Sequence, residues 1–465
     1  MVGALAKTLC HLGHEVGIIS PLYAGIKEGN PSLELLSVEL QISLGYSLIP
    51  GGVWYLRGSA GERLYFLQND HFFNRPNYYA EQGQDYPDND ARFIFFSKAV
   101  AHLAQNLEWK PEIMHVHDWQ VGLVPLFIRD HLKRGLRGNH PATILTLHNL
   151  AYQGVFPESS YALTELPLEY FRFDSVEFYG QMNCLKSGIV FADLLTTVSP
   201  RYSREILSEE FGCGLEGALR MRQNQLTGIL NGVDYSEWNT HKNKSLVAAY
   251  SLDDLRGKSA NKLAVQAELE LSVREDVPLF GIVSRLTDQK GVDICLGALE
   301  VMLEEDIQFA LLGSGQPEFE ASFLRLAAKH SKKVAIHIGY NQGLAHRIEA
   351  GSDFFLMPSR FEPCGLNQMY SLKYGTIPIV RAVGGLDDSI IDASDDKNHA
   401  NGIKFDEYSV RALVESMRKA LVIHADPERL SFYRRNGMGV NFDWEKTAKE
   451  YIRAYERAID SIDLT

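Results

Sequence analysis

Six apolar runs in this sequence end on residues able to do chemistry. "HVHDW" delivers His117 and Asp118, "TLHNLAYQG" delivers His148 and Asn149, and "ILNGVD" delivers Asn231. "VSRLTDQKG" adds Arg285 and Lys290, "IGYNQ" adds Tyr340, and "MPSRFEPCG" adds Glu362. Arg285 and Lys290 share a loop that opens a helix, where two positive charges can meet a diphosphate and stabilise it as a leaving group. The plainer alternative is a solvated pair of loop charges. Glu362 follows "FFLMP" and precedes Gly365 and Leu366 at the start of a helical segment. A carboxylate there accepts hydrogen bonds from sugar hydroxyls, and the glycine lets the backbone approach a ligand at the helix N-terminus. Its alternative is an acid that complements the helix dipole. "AVGGLDD" repeats the device, with N–H groups of Gly384 and Gly385 suited to a phosphate.

Other residues have simpler readings. His148 is either a ligand-contacting imidazole or a core histidine with satisfied bonds, and residue type alone favours the second. Asp88 to Asp90 have the D-x-D form that can hold a metal, but in "YPDNDARF" they precede a helix and read as a cap. His115 and His117 stand two apart with no third ligand at metal spacing, so no metal site is expected. Cys364 reads as a small side chain lining the site, because no Cys/His arrangement supports a nucleophile.

These residues need a scaffold that gathers strand ends. The runs "EIMHVH", "ATILTLH", "DLLTTVS" and "LTGIL", then "PLFGIVS", "FALLG", "VAIHI", "FFLMP" and "IPIV", alternate with helical segments. That rhythm predicts an α/β fold of parallel strands buried on both faces, with helices as crossovers. It lapses over residues 232–258, so two open sheets facing across a cleft are expected, with ligands outside the carboxyl ends of the strands. Val2, Leu5, Leu9 and Leu12 mark one stripe of an opening helix, and "GHEVGIIS" reads as a turn into a strand. "WEKTAKEYIRAYERAIDSIDL" has the apolar spacing of a terminal packing helix.

At 465 residues, 45% hydrophobic and 23% charged, the chain has the mix of a globular protein with two or three domains. Its formal net charge of -13 disfavours nucleic acid and anionic membranes as partners. Five scattered cysteines without a C-x-x-C pair argue against a disulfide framework and for a reducing, cytoplasmic setting. No apolar run reaches the roughly 18 to 20 residues of a membrane span, and the start does not read as a signal peptide.

As a set, these segments resemble the bacterial glycogen synthases and plant starch synthases, retaining glucosyltransferases that use a sugar nucleotide. The likeness covers nearly the whole chain in the family's order, through "HVHDWQVGLVP", "TLHNLAYQGVFP", "LKSGIVFADLLTTVSPRYSREI", "EFGCGLEGALR", "GILNGVDYSEWNT", "KSANKLAVQ", "VSRLTDQKGVD" and the stretch from "IGYNQ" to "AVGGL". It implies the GT-B architecture, with an acceptor-side Rossmann-like domain over 1–240, a nucleotide-sugar domain over 241–442, and a helix over 443–465 crossing back to the first. It also implies that Arg285 and Lys290 face the donor diphosphate and that Glu362 is the essential acid beside the glucosyl ring. His148 then lies near the reacting sugar, Asp118 is the aspartate of the "HDW" motif, Tyr340 sits beside the adenine, and Cys364 follows the essential acid. Asn231, Gly365, Leu366, Gly384 and Gly385 complete the implied donor-binding set.

The implied donor is ADP-glucose, as substrate and not as a resident cofactor. The implied acceptor is an α-1,4-glucan, glycogen or starch, extended with the α configuration kept, in the cytoplasm or, in a plant, the plastid. Tyr370 stands where many other GT-B transferases have a second glutamate, which favours a synthase. Two departures are visible. The family's "TGGL" is "VGGL" here, so Val383 lacks a hydroxyl. Members also begin with a strand and a K-V-G-G-L-A-D loop, whereas this chain starts in the helix that follows, so a shortened chain is expected. A non-catalytic glucan-binding or regulatory relative is the second expectation, and the presence of Arg285, Lys290, Glu362 and His148 favours an enzyme.

Overall fold

The computed structural model describes residues 1–81, 83–135 and 140–463. Two compact units emerge. Met1–Val198, Ser203–Ile229 and the terminal helix from Trp444 form the first, and Ser199–Tyr202 with Leu230–Asp443 form the second. The first unit's opening stretch therefore gives way to the second unit after Ile229 and not at residue 240. Val233 donates its N–H to the Phe442 carbonyl at 2.7 Å, and the Trp238 ring stacks on Tyr370 with centroids 3.6 Å apart, so this stretch packs with the second unit. Ser199 and Arg201 join it too, by donating to the Asp388 carboxylate.

In the first unit, strands Leu226–Gly228, Leu194–Thr197, Ala142–Leu147 and Ile113–His117 lie side by side and parallel. Every residue of Ala142–Leu147 is buried. Its hydroxyls are satisfied internally: Thr143 donates to Asp193 at 2.7 Å, and Thr146 and Thr196 share a 2.5 Å bond. Leu5 and Leu9 of the first helix, with Trp444, Ala448, Tyr451, Ala454 and Ala458 of the terminal helix Trp444–Asp463, pack against Ala142, Ile144 and Leu194. Their spacing of three or four residues gives each helix one apolar stripe, which is what covering a sheet requires. Val2, expected on that stripe, is exposed, and Leu464 lies outside the described residues.

The same unit holds a sheet that the parallel expectation does not contain. Gly17–Pro21 runs parallel to Arg63–Gln68, which pairs antiparallel with Ser47–Arg57. Ser47–Arg57 also pairs antiparallel with Leu40–Leu44 and Glu34–Leu35. Leu40–Leu44 alternates instead of running apolar: Leu40, Ile42 and Leu44 are buried while Gln41 and Ser43 are exposed. A half-solvated antiparallel sheet has that pattern.

The second unit is one sheet of six parallel strands. Numbered along the chain they lie in the order 3-2-1-4-5-6, the doubly wound arrangement. The order reverses between Leu279–Val283 and Phe354–Met357, the strands that lead into Lys290 and Glu362. At their opposite ends sits a buried charge cluster. Asp353, 3% exposed, takes Lys262 at 2.7 Å, Arg434 at 2.6 Å and the Leu279 N–H at 2.9 Å. Burial opposes its charge, yet Lys262, Arg434 and His424 hold the carboxyl below its ordinary pKa.

Replacing Asp353 by Ala strands two buried cations, and this should lower the stability of the second unit by roughly 3–5 kcal/mol in urea unfolding. A depressed acid stabilises above its unfolded pKa and loses that contribution as pH falls through its folded value. The difference between wild type and Asp353→Ala should therefore hold from pH 5 upward and shrink below about pH 4.

Candidate functional site

In the second unit the loop after Phe354–Met357 carries Glu362, which is only 6% exposed. Its Oε2 accepts from Lys290 Nζ at 2.6 Å and from Ser359 Oγ at 2.9 Å. A buried carboxylate needs such partners, since desolvating an unpaired charge is costly. Glycines make the meeting possible. Gly291, at φ 68°, follows Lys290, and a Cβ there would sit 1.9 Å from the Pro358 carbonyl oxygen. With glycine the two loops touch backbone to backbone, and Lys290 reaches the acid.

Gly384 and Gly385 act in the same way on the other flank. A Cβ on Gly384 would lie 2.0 Å from the Glu362 oxygen, and one on Gly385 would lie 2.1 Å from the Cys364 oxygen. The N–H of Gly385, expected to suit a phosphate, instead donates to the carbonyls of Glu362 and Pro363 at 3.2 and 3.1 Å. What this glycine visibly does is seat the helix Gly384–Ser389 against the acid's loop. Val383 is buried at that helix's N-cap.

Gly365, at φ 67°, turns the chain into Leu366, the N-cap of helix Asn367–Lys373. Gln368 braces this turn from inside, donating to the Cys364 oxygen at 3.0 Å and to Ser389 at 3.0 Å. Asn367 ties the helix to the Val283 carbonyl at 2.6 Å. Burial, with the Glu362 charge adding to it, pushes the Cys364 thiol up to about 12, so it is no nucleophile at neutral pH. Asn231 hydrogen-bonds to Cys364 and keeps a buried Oδ1 without a partner among the described residues. Arg285 is exposed on the loop after Leu279–Val283, and Tyr340, 88% exposed, follows Val334–Ile338.

In the first unit, Asp118 and His148 come together. Asp118 adopts φ 58°, unusual for a residue with a side chain. Its Oδ1 accepts from the His148 N–H at 2.7 Å, and the Asn149 N–H also bonds the carboxylate. Asp118 therefore fixes the backbone of the His148 loop. Burial raises its pKa to about 7 despite those bonds. Burial also lowers His148 to about 4, so the imidazole is neutral. His148 Nε2 lies 3.1 Å from His117 Nδ1, and behind them His115 bonds Thr146 at 2.6 Å and Tyr455 at 3.0 Å. His115 and His117 are likewise held neutral by burial.

Ser359 and Gln368 were not singled out by sequence, and His117 was read there as a strand-end residue and one of a histidine pair, with no contact to His148 foreseen. Ser359 and His117 lie within quoted motifs, but only the folded contacts show what they hold. Asp88 stands at the helix start without capping it; its carboxylate takes Arg75 at 2.7 and 2.5 Å.

Comparison with known proteins adds independent findings. Residues 1–221 match the family described as starch synthase catalytic domain, and residues 268–436 match glycosyl transferases group 1. The chain is 44% identical over 456 residues to the glycogen synthase of Anaeromyxobacter sp. (strain Fw109-5), covering 98% of this chain and 94% of that one. It is 44% identical to the glycogen synthase of Myxococcus xanthus (strain DK1622), over 97% and 94%. The catalytic domain of starch synthase IV from Arabidopsis thaliana, solved with ADP and acarbose, matches with TM-score 0.89 and 32% identity over 99% and 95% of the two chains. A sucrose-phosphate synthase from Thermosynechococcus elongatus shares the fold, at TM-score 0.61 and 17% identity. The two units are thus the Rossmann-like pair of the GT-B glycosyltransferases.

Asp118 supplies a pH test. Its folded pKa is raised, so the folded state binds this proton more tightly than the unfolded chain and loses stability as pH rises from about 4 to 7. Asp118→Asn keeps an acceptor and removes the charge. Its melting temperature relative to wild type should climb between pH 5 and pH 8, by roughly 5 °C, in thermal scans.

Proposed function

Because this chain belongs to the family of bacterial glycogen synthases and plant starch synthases, and is a glycosyltransferase, we propose that it transfers glucose from ADP-glucose to the non-reducing 4-hydroxyl of an α-1,4-glucan, keeping the α configuration. The observation that carries the reading is the Lys290–Glu362 pair at the order reversal of a parallel sheet, the place where doubly wound folds bind ligands. An ammonium has three N–H donors, so with one on Glu362 two remain for diphosphate oxygens. Arg285, five residues earlier, adds the second positive charge. Glu362 Oε2 is occupied by Lys290 and Ser359, which leaves Oε1 for the hydroxyls of the glucosyl ring.

An acid held in this way is a weak nucleophile. In this reading the bond from the sugar's C1 to the diphosphate breaks as the acceptor oxygen bonds C1 on the same face. The acceptor's proton passes to the departing diphosphate oxygen, whose negative charge Arg285 and Lys290 stabilise. In the first unit, Asp118 positions neutral His148, whose ring is suited to hydrogen-bond a sugar hydroxyl. Tyr340, Asn231 and the Cys364–Leu366 turn hold the rest of the donor. ADP-glucose is a substrate here, and no resident cofactor is required. Five free cysteines suit a reducing compartment such as the cytoplasm.

The test is transfer of labelled glucose to glycogen from ADP-glucose and, in parallel, from UDP-glucose, with Glu362→Ala as control. Transfer from ADP-glucose that vanishes in the control supports the proposal; a folded protein silent with both donors overturns it. Arg285→Ala should lower kcat about 100-fold while changing the KM for glycogen less than about threefold. Equal losses in both would remove Arg285 from the leaving-group role.

A further inference from the structure

Tyr179 occupies a position that a tyrosine fills at a cost. Strands Glu177–Phe178 and Gln181–Asn183 form a hairpin in which Phe178 pairs with Gln181, leaving Tyr179 and Gly180 as a two-residue loop. Both loop residues have positive φ, 50° and 76°. That is the turn for which Asn-Gly is favoured, and a bulky side chain at its first position is strained. Packing does not recover the strain, because Tyr179 is 84% exposed. It meets Phe178 edge-on, with ring centroids 4.7 Å apart.

The surroundings leave the ring open and anchor the hairpin that carries it. A Cβ on Gly214 would lie 3.0 Å from the Phe178 ring and 3.9 Å from the Tyr179 ring, so the glycine keeps that flank uncovered. The preceding residue, Cys213, accepts through its carbonyl from Gln153 Nε2 at 3.0 Å. Asn183, in the hairpin, donates to Gln153 Oε1 at 2.7 Å and caps the next helix by accepting the Lys186 N–H at 2.9 Å. Gln153 belongs to the loop that begins with His148. Hairpin, glycine loop and His148 loop are therefore one hydrogen-bonded group, and Tyr179 is its most exposed ring.

We propose that Tyr179 is a stacking platform for the α-glucan acceptor, binding a sugar unit several residues away from the end that reacts. The inference rests on the glucan synthase reading and extends it along the polymer. A pyranose has an apolar C–H face edged by hydroxyls, and an exposed phenol offers a flat apolar body with a polar tip. A polymeric acceptor extends past the reacting unit, so an exposed aromatic on the same loop group as His148 has a partner of the right chemistry.

The strained turn allows a variant that should fold at least as well. Tyr179→Asn restores the favoured Asn-Gly turn, so its melting temperature should equal or exceed that of wild type. Its KM for glycogen should rise about fivefold to tenfold, with kcat at saturating glycogen falling less than about twofold. The KM for maltotriose should stay within about twofold, and Tyr179→Phe should restore the glycogen KM. An unchanged glycogen KM in Tyr179→Asn would overturn the platform, and an equal rise for maltotriose would overturn its remote placement. Affinity electrophoresis in glycogen gels reads the same contact without turnover. If wild type is retarded but transfers no glucose, the catalytic reading fails while the platform is still judged by whether Tyr179→Asn loses retardation.

Discussion

Around residues 358 to 364 three stretches of backbone approach closer than any side chain would permit. Gly291, Gly384 and Gly385 each face a carbonyl oxygen at a distance where a Cβ would clash at about 2 Å. The position of Glu362 follows from those approaches. One glycine brings Lys290 to the carboxylate, and the other two bring a short helix against the carbonyls of Glu362 and Cys364. Gln368 fills the interior of the turn. Interiors are packed so tightly that one methyl group is felt, and here a methyl group would land on backbone, which has no rotamer to yield.

The second unit separates its tasks by strand end. At the amino ends lie the groups that hold it together: Asp353 with Lys262 and Arg434, and Lys258, buried and donating to the Ala350 carbonyl at 2.9 Å and Thr376 at 2.7 Å. Glu349 belongs with them, its pKa raised to about 8 by burial while Ser371 donates to it at 2.5 Å. At the carboxyl ends lie Lys290, Glu362 and Tyr340. The segment "KSANKLAVQ" belongs wholly to the first set. Lys258, Asn261, Lys262 and Gln266 are buried, with their polar atoms on backbone carbonyls and on Asp353. A motif shared with a family can thus be architecture as readily as chemistry.

That distinction marks where sequence reading succeeds and stops. Strands such as "PLFGIVS" and "FALLG" are legible because burial on both faces writes an apolar run. The strand Ser47–Arg57 is not, since "SLIPGGVWYLR" carries Pro50, Gly51 and Gly52 and pairs on its two sides with different partners. Glu362 and Lys290 are legible as strand-end residues, whereas their 2.6 Å contact depends on loops 72 residues apart. Asp88 illustrates the limit at short range: its position says cap, and Arg75, thirteen residues away, claims the carboxylate. Gly384 and Gly385 are conspicuous as a pair, but whether their N–H groups face a ligand or a neighbouring carbonyl is decided by tertiary packing alone.

The cysteines carry a practical consequence. Cys184, Cys295 and Cys364 are buried and Cys10 is partly covered, while Cys213 is exposed on a left-handed bend. Partial desolvation and the Glu216 carboxylate push its thiol above the ordinary value, so little thiolate is present at neutral pH and alkylation accelerates as the solution is made alkaline. The native chain thereby carries a selective attachment point for a fluorophore or spin label. No cysteine has to be introduced, and the probe would report from the loop that Gln153 ties to His148.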